Sequence, residues 1–293
     1  MDKRRRERRK HLATISVALV FALVGGLVAF LAFTGGDGRD IAAPTGPTRA
    51  SGPSAATGPT ATGPTASGAT AATGATGTQE PGTQTGTVEP TPGPAEVACG
   101  AEAPAAATDP KPQFNAPRQV LREGQTYTAT MHTSCGDIVI ELLAEQAPET
   151  VNSFVFLARE GYFDGTRFHR IDTSIDVLQG GDPTATGTGG PGYSIPDELT
   201  GQESYAPGVL AMANGGPNTG GSQFFLIFGE NGLGLDSVPN YTIFGQVTQG
   251  LEIAQRIGAL EIQDPAAAAA GDLSGQQPAQ AVYIDDLEIT TGR

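Results

Sequence analysis

The sequence predicts a mainly β domain, a sandwich or closed barrel, set behind a membrane span and a low-complexity linker. Three features predict it. The C-terminal part is a series of short apolar runs broken by Gly and Pro, among them "FHRI", "VLQGG", "GVLAMAN", "SQFFLIF" and "TIFGQV", which is how small all-β folds read. A basic head, "MDKRRRERRKH", leads directly into the apolar run "LATISVALVFALVGGLVAFLAF". Between that run and residue 97 the chain is built of Thr, Gly, Pro, Ala and Ser, with almost no large apolar side chain.

Taken in order, residues 1–11 are a cytoplasmic basic segment and 12–33 a transmembrane helix. The run is 22 residues without a charge, long enough to cross a bilayer, and its basic flank belongs on the cytoplasmic side. The alternative is a cleavable signal peptide, whose apolar part is normally about 7–15 residues with a small-x-small cleavage site; "FLAFTGG" fits that poorly. Residues 34–96 are expected to be a disordered linker, because they cannot bury enough surface to offset their ordering entropy. Treated as a flexible coil, such a linker reaches roughly 40–50 Å. Residues 97–119 form an N-terminal extension, and 120–293 the folded domain, large enough for one sizeable core.

Charge and cysteines narrow the function. The chain has 17 Lys and Arg against 31 Asp and Glu. The first ten residues hold seven of the bases and two of the acids, so the remainder carries a net charge of −19. Nucleic acid is therefore excluded as a partner of the folded part, since phosphate contacts need a basic face. In the expected topology Cys99 and Cys135 are both extracytoplasmic, where oxidation is permitted. A Cys99–Cys135 disulfide is expected; two unrelated buried thiols are the alternative. His11, His132 and His169 are scattered without ligand spacing, so no metal and no cofactor is expected. "ATGTGGPG" has the glycines of a phosphate cradle but no helix after it, and reads as a turn. The chain is read as a monomer.

Within the domain, "TYTATMHT" alternates Tyr127, Ala129 and Met131 against Thr, a half-buried strand. With "SCGD" as a turn and "IVIELL" as the return strand it makes a hairpin. In "APETVNSFVFLAREG" the period changes, and Val151, Phe154, Val155 and Ala158 share one helical face. Pro148 suits its first turn and Gly161 its end. A second helix fits "GLEIAQRIGAL", "QDPAAAAAGDLSGQQPAQ" reads as a surface loop, and "AVYIDDLEI" as a closing strand.

Over roughly residues 120–291 the chain resembles the cyclophilin family of peptidyl-prolyl isomerases. Six segments match in order: "GDIVIELLAEQAPETVNSFVFLA", "YFDGTRFHR", "QGGDP", "GTGGPGYSIPDE", "GVLAMANGGPNTGGSQFFLIF" and "NYTIFGQV". The resemblance implies a closed eight-stranded antiparallel β-barrel capped by two α-helices, acting on proline-containing polypeptides. It makes Arg170 the catalytic residue and Gln179 a donor to the substrate backbone. Asn214, beside Ala213, would bind peptide through its main chain, and Gln223 is the second active-site Gln. Met212, Phe225 and Leu235 would line the proline pocket, and Tyr241 stands where many members carry His. His169 reads as a structural hydrogen-bonder.

Two departures from the family pattern bear on the site. Nine steps separate Arg170 from Gln179, where the family usually has eight. Ile175 and Val177 are therefore placed in the pocket and Asp176 on a bulge, because a carboxylate in an apolar slot is costly. The chain also lacks Trp, which eukaryotic members carry beside the pocket. The functional expectation is a prolyl isomerase that assists exported proteins outside the membrane. A non-catalytic Pro-peptide binding module or holdase on the same barrel is the alternative.

Overall fold

The computed structural model describes residues 81–94 and 96–293. The basic segment 1–11, the expected span 12–33 and most of the expected linker lie outside the described residues. Among the described residues, no helix is long and apolar enough to cross a membrane.

Eleven strands are described. β1 (Gln84–Val88) and β2 (Lys111–Phe114) form a small antiparallel pair. The other nine are β3 (Thr126–Thr133), β4 (Gly136–Leu142), β5 (Arg167–Phe168), β6 (Arg170–Asp172), β7 (Val177–Gly180), β8 (Val209–Met212), β9 (Phe224–Ile227), β10 (Ile243–Gln249) and β11 (Val282–Gly292). They form one antiparallel sheet in the order β5-β11-β3-β4-β10-β8-β9-β7-β6. The two end strands, β5 and β6, are consecutive in the chain with only His169 between them. The sheet thus curls into a nearly closed barrel. The expected count of eight strands becomes nine because one strand, residues 167–172, changes partner midway: β5 pairs with β11 and β6 with β7.

Alternation decides what lies inside. On β3, Tyr127, Ala129 and Met131 are fully buried, as the Thr-interleaved pattern predicts. Phe154, Phe163, Phe224 and Phe244 meet in the centre, with Phe154 5.0 Å from Phe163, 5.7 Å from Phe224 and 5.2 Å from Phe244 between ring centroids. Phe154 comes from α1 (Pro148–Arg159), which closes one end of the barrel. The carboxylate of Glu198 accepts from the N–H groups of Glu149 (3.0 Å) and Thr150 (2.8 Å) in its first turn, a placement the helix dipole favours. The second helix, α2 (Leu251–Gly258), buries Ala254 and Ile257.

Two segments are more structured than the sequence suggests. α1 is buried on more than the Val151/Phe154 face, because the N-terminal extension packs on its outer side. Phe114 meets Phe156 edge-on at 4.9 Å, and Asn152 accepts from the Val120 N–H at 2.8 Å while donating to the Arg118 carbonyl at 3.0 Å. That ordered extension begins before residue 97. β1 lies inside the stretch assigned to the linker, and the Thr91 carbonyl accepts from Arg167 at 2.9 Å. A Thr- and Gly-rich strand offers no apolar alternation, so only its partner β2 reveals it. The second segment is the supposed surface loop before β11. It contains a short helix, α3 (Pro265–Ala269), capped by Asp264, followed by a 3₁₀ turn at Leu273–Gln276.

Cys99 and Cys135 are bonded, joining the extension to the β3–β4 turn across 36 positions of sequence. Beside the bond, Ala98 donates to the Ala281 carbonyl at 2.9 Å, and Ala98 itself is fully buried. Closing a loop of this length removes unfolded-state entropy worth about 3–4 kcal/mol. Cys99→Ser should lower unfolding free energy by about that amount while α1 and the barrel remain folded, as read by denaturant titration and circular dichroism. Unchanged stability, or two alkylatable thiols in the denatured, non-reduced wild type, would contradict it.

Candidate active site

The site lies on the outer wall of the barrel, and strand register builds it. Arg170 on β6 stands opposite Gln179 on β7, Gln179 opposite Phe225 on β9, and Phe225 opposite Ala211 on β8. One rung therefore runs from a cation through an amide to an apolar floor. On β9, Phe224 and Leu226 point inward to the main core, whereas Phe225 and Ile227 point outward. A second apolar cluster forms there, with Val177, Tyr205, Ala211, Phe225 and Leu235, flanked by Ile175, Ala213 and Tyr241.

These residues border an open cavity of about 930 Å³. Of the residues singled out in the sequence, Arg170, Ile175, Val177, Gln179, Ala213, Asn214, Gln223, Phe225, Leu235 and Tyr241 all line it. Met212 does not. Its side chain belongs to the main core, where its strand pairs it with Phe224. Alternation along β8 explains the difference: Ala211 and Ala213 face outward, so Met212 faces in. Asp176 is not on a bulge. It sits in the four-residue turn joining β6 to β7, at φ +49°, and its carboxylate accepts from the Asn231 N–H at 2.8 Å. The extra residue is absorbed there, which leaves Ile175 at the cavity.

The apolar wall is firm. Tyr241 meets Phe225 edge-on at 5.1 Å and 90°. Tyr205 locks Tyr241 in place, donating its hydroxyl to the Tyr241 carbonyl at 2.9 Å and accepting from its N–H at 3.0 Å. Burial pushes the Tyr241 phenol up, against the opposing pull of the Arg170 charge, so Tyr241 stays a neutral wall residue at physiological pH.

The polar side is a relay. Arg170 Nη1 donates to Gln179 Oε1 (3.1 Å), Gln179 Nε2 to Gln223 Oε1 (3.0 Å), and Gln223 Nε2 to the Gly189 carbonyl (2.9 Å). Gly189 sits in the Gly-rich loop whose sequence reads as a turn. That loop wraps the Asp182 carboxylate, which accepts from the N–H groups of Thr184, Thr186, Gly187 and Gly189. A Cβ on Gly189 would lie 2.1 Å from an Asp182 oxygen, so the wrap requires glycine. Asn214 commits its side chain to the Asn240 carbonyl at 2.8 Å, which suits a main-chain role toward peptide.

Several site residues lie outside the motifs that mark the site in the sequence. Asp172, 5 % exposed in its side chain, holds Arg170 Nη2 at 2.6 Å. Gln276 holds Arg170 Nε at 2.6 Å from the far side of the chain. Gln113 of the extension, and Leu273, Ser274 and Gln277 of the segment before β11, also border the cavity. Asp172 was within reach, since a carboxylate two positions from an arginine on a strand shares its face. No local pattern announces Gln276 or Gln113.

His169 is buried, and its ring interacts with the Arg167 backbone rather than with another side chain. Its backbone is what matters: the His169 N–H donates to the Gln179 carbonyl at 3.0 Å, so His169 and Arg170 together oppose Gln179. Two residues against one is a β-bulge. Burial pushes the imidazole from its ordinary 6.5 down to about 4, against the opposing pull of Asp182. Between those values the unfolded chain binds more proton than the folded one, so stability is full above about pH 6.5 and falls as pH drops toward 4. The total is on the order of 3 kcal/mol. An imidazole resonance that does not titrate until near pH 4 is the expected NMR result; titration near the ordinary value would contradict it.

Comparison with known proteins agrees with this geometry. A family model described as "Cyclophilin type peptidyl-prolyl cis-trans isomerase/CLD" matches residues 128–289. The human protein named peptidyl-prolyl cis-trans isomerase-like 1 is 46% identical over 135 residues, 45% of this chain and 79% of that protein. The Schizosaccharomyces pombe peptidyl-prolyl cis-trans isomerase ppi1 is 46% identical over 132 residues, 44% of this chain and 83% of that one. A Mycobacterium leprae protein named probable peptidyl-prolyl cis-trans isomerase B is 38% identical over 187 residues, 58% of this chain and 59% of its own. The match spans every strand of the groove and more than half of the chain, and the chain belongs to the cyclophilin-type peptidyl-prolyl cis-trans isomerase family.

Proposed function

We propose that the chain is a membrane-tethered isomerase that rotates Xaa-Pro bonds in exported polypeptides, with Arg170 as the catalytic residue. The observation that supports it best is a guanidinium held at the rim of a rigid apolar pocket. An Xaa-Pro bond resists rotation with a barrier of about 18–20 kcal/mol, because twisting breaks amide resonance. As it twists, the proline nitrogen becomes pyramidal and gains a lone pair. A fixed donor aimed there stabilises the twisted state above either planar one, which is catalysis by differential binding. Phe225, Leu235, Ile175 and Val177 receive the proline ring, while Gln179 and the main chain at Asn214 hold the peptide. No cofactor, metal or nucleophile enters this reaction.

Arg170→Ala should slow catalysed isomerisation by about 10²–10³, the usual cost of one preorganised donor, with peptide affinity little changed. Arg170→Lys should rescue poorly, because an ammonium cannot reproduce the planar fork. Phe225→Ala should weaken peptide binding as well as turnover. Exchange spectroscopy on a proline peptide reads both quantities. Equal exchange rates for wild type and Arg170→Ala, with client protection lost in Phe225→Ala, would instead indicate a non-catalytic holdase.

Location rests on the sequence: the basic head, the 12–33 run and the linker tether the domain to the membrane from outside. A disulfide between Cys99 and Cys135 suits that compartment. Protease added to intact cells should release a fragment containing the barrel. Protection of the barrel until lysis would overturn the assigned topology.

A further inference from the structure

We infer that Gln276, carried by the segment between α2 and β11, is a positioning residue for Arg170. The inference rests on Arg170 being the catalytic donor.

That segment is a self-braced unit. Its base is closed by the Gln263 N–H to the Gln277 carbonyl (2.8 Å) and the Ala279 N–H to the Glu261 carbonyl (2.8 Å). Inside it, Asp264 caps α3, Asp272 caps the turn at Leu273–Gln276, and the Asp264 N–H bonds the Gly275 carbonyl at 3.1 Å. A Cβ on Gly275 would lie 2.5 Å from the Asp264 carbonyl oxygen, so the two halves pack at the backbone. The unit therefore presents Gln276, 8 % exposed, from a fixed base.

A guanidinium has five N–H groups on three nitrogens. Gln276 takes Nε, Gln179 takes Nη1 and Asp172 takes Nη2. Gln179 and Asp172 hold only the terminal nitrogens, about which the group can still swing. The acceptor on Nε fixes the plane at its root, leaving one N–H on each terminal nitrogen for the substrate among the described contacts. Misorienting such a donor lowers transition-state stabilisation more than ground-state binding.

The test uses two isosteric variants. Gln276→Met keeps the side-chain volume and removes the acceptor; Gln276→Glu keeps an acceptor at the same reach. Exchange spectroscopy on a proline peptide should show about a tenfold loss of catalysed rate in Gln276→Met, the effect of one charge-assisted hydrogen bond. Peptide affinity should stay within about twofold of wild type, and Gln276→Glu should retain most of the rate. In wild type, the Arg170 Nε–H resonance should be shifted and slow to exchange; in Gln276→Met it should broaden. A wild-type rate in Gln276→Met, while Arg170→Ala is inactive, overturns the positioning role and leaves the proposed function standing. Full activity in Arg170→Ala removes the parent reading itself. If Gln276→Met does not fold, fast exchange of the wild-type Nε–H suffices to overturn the role.

Discussion

A one-residue offset in the pleat at His169 is the constraint on which the site depends. In a regular strand Phe168 and Arg170 would share a face. Here Phe168 and Ile171 both belong to the core, and Arg170 faces the groove. The bulge at His169 makes this possible, and it falls where the strand passes from β11 to β7. Barrel closure and the exposure of the guanidinium are one event in the backbone. The bend buries the His169 imidazole, and that burial lowers its pKa.

Around Arg170, electrostatics and packing converge. A cation with only 13 % of its side chain exposed needs acceptors, because an unpaired charge in such a place would be strongly destabilising. Asp172 supplies the countercharge, with Ser174 holding its other oxygen through both N–H and hydroxyl. Gln179 and Gln276 supply neutral acceptors. Three anchors hold the guanidinium in a fixed orientation. On the other side of the rung, Tyr205 and Tyr241 do the same for the apolar wall.

Much of this was legible in the sequence. Alternation gave β3, the change of period gave α1, and the order of motifs gave the groove residues from Arg170 to Tyr241. Met212 departs from the expected pocket position because strand parity, fixed by the outward-facing Ala211 and Ala213, turns it into the core. The rest was illegible for a physical reason. β1 is Thr- and Gly-rich and exists through its partner; α3 is an alanine run held by a cap and a glycine contact; Gln276 reaches Arg170 across 106 positions of sequence. Such contacts are tertiary, and no local period encodes them.

The topology also sets a timetable for the protein's own maturation. Among the described strands β11 comes latest in the sequence, yet it bonds β3 and β5, more than a hundred residues earlier. Until residues 282–292 are available, β3 and β5 present unpaired edges, and the aromatic centre cannot be sealed. Pairing at such separation is slow to form and leaves an incomplete chain prone to association. Such a barrel stays open until the eleven residues of β11 have docked against both partners.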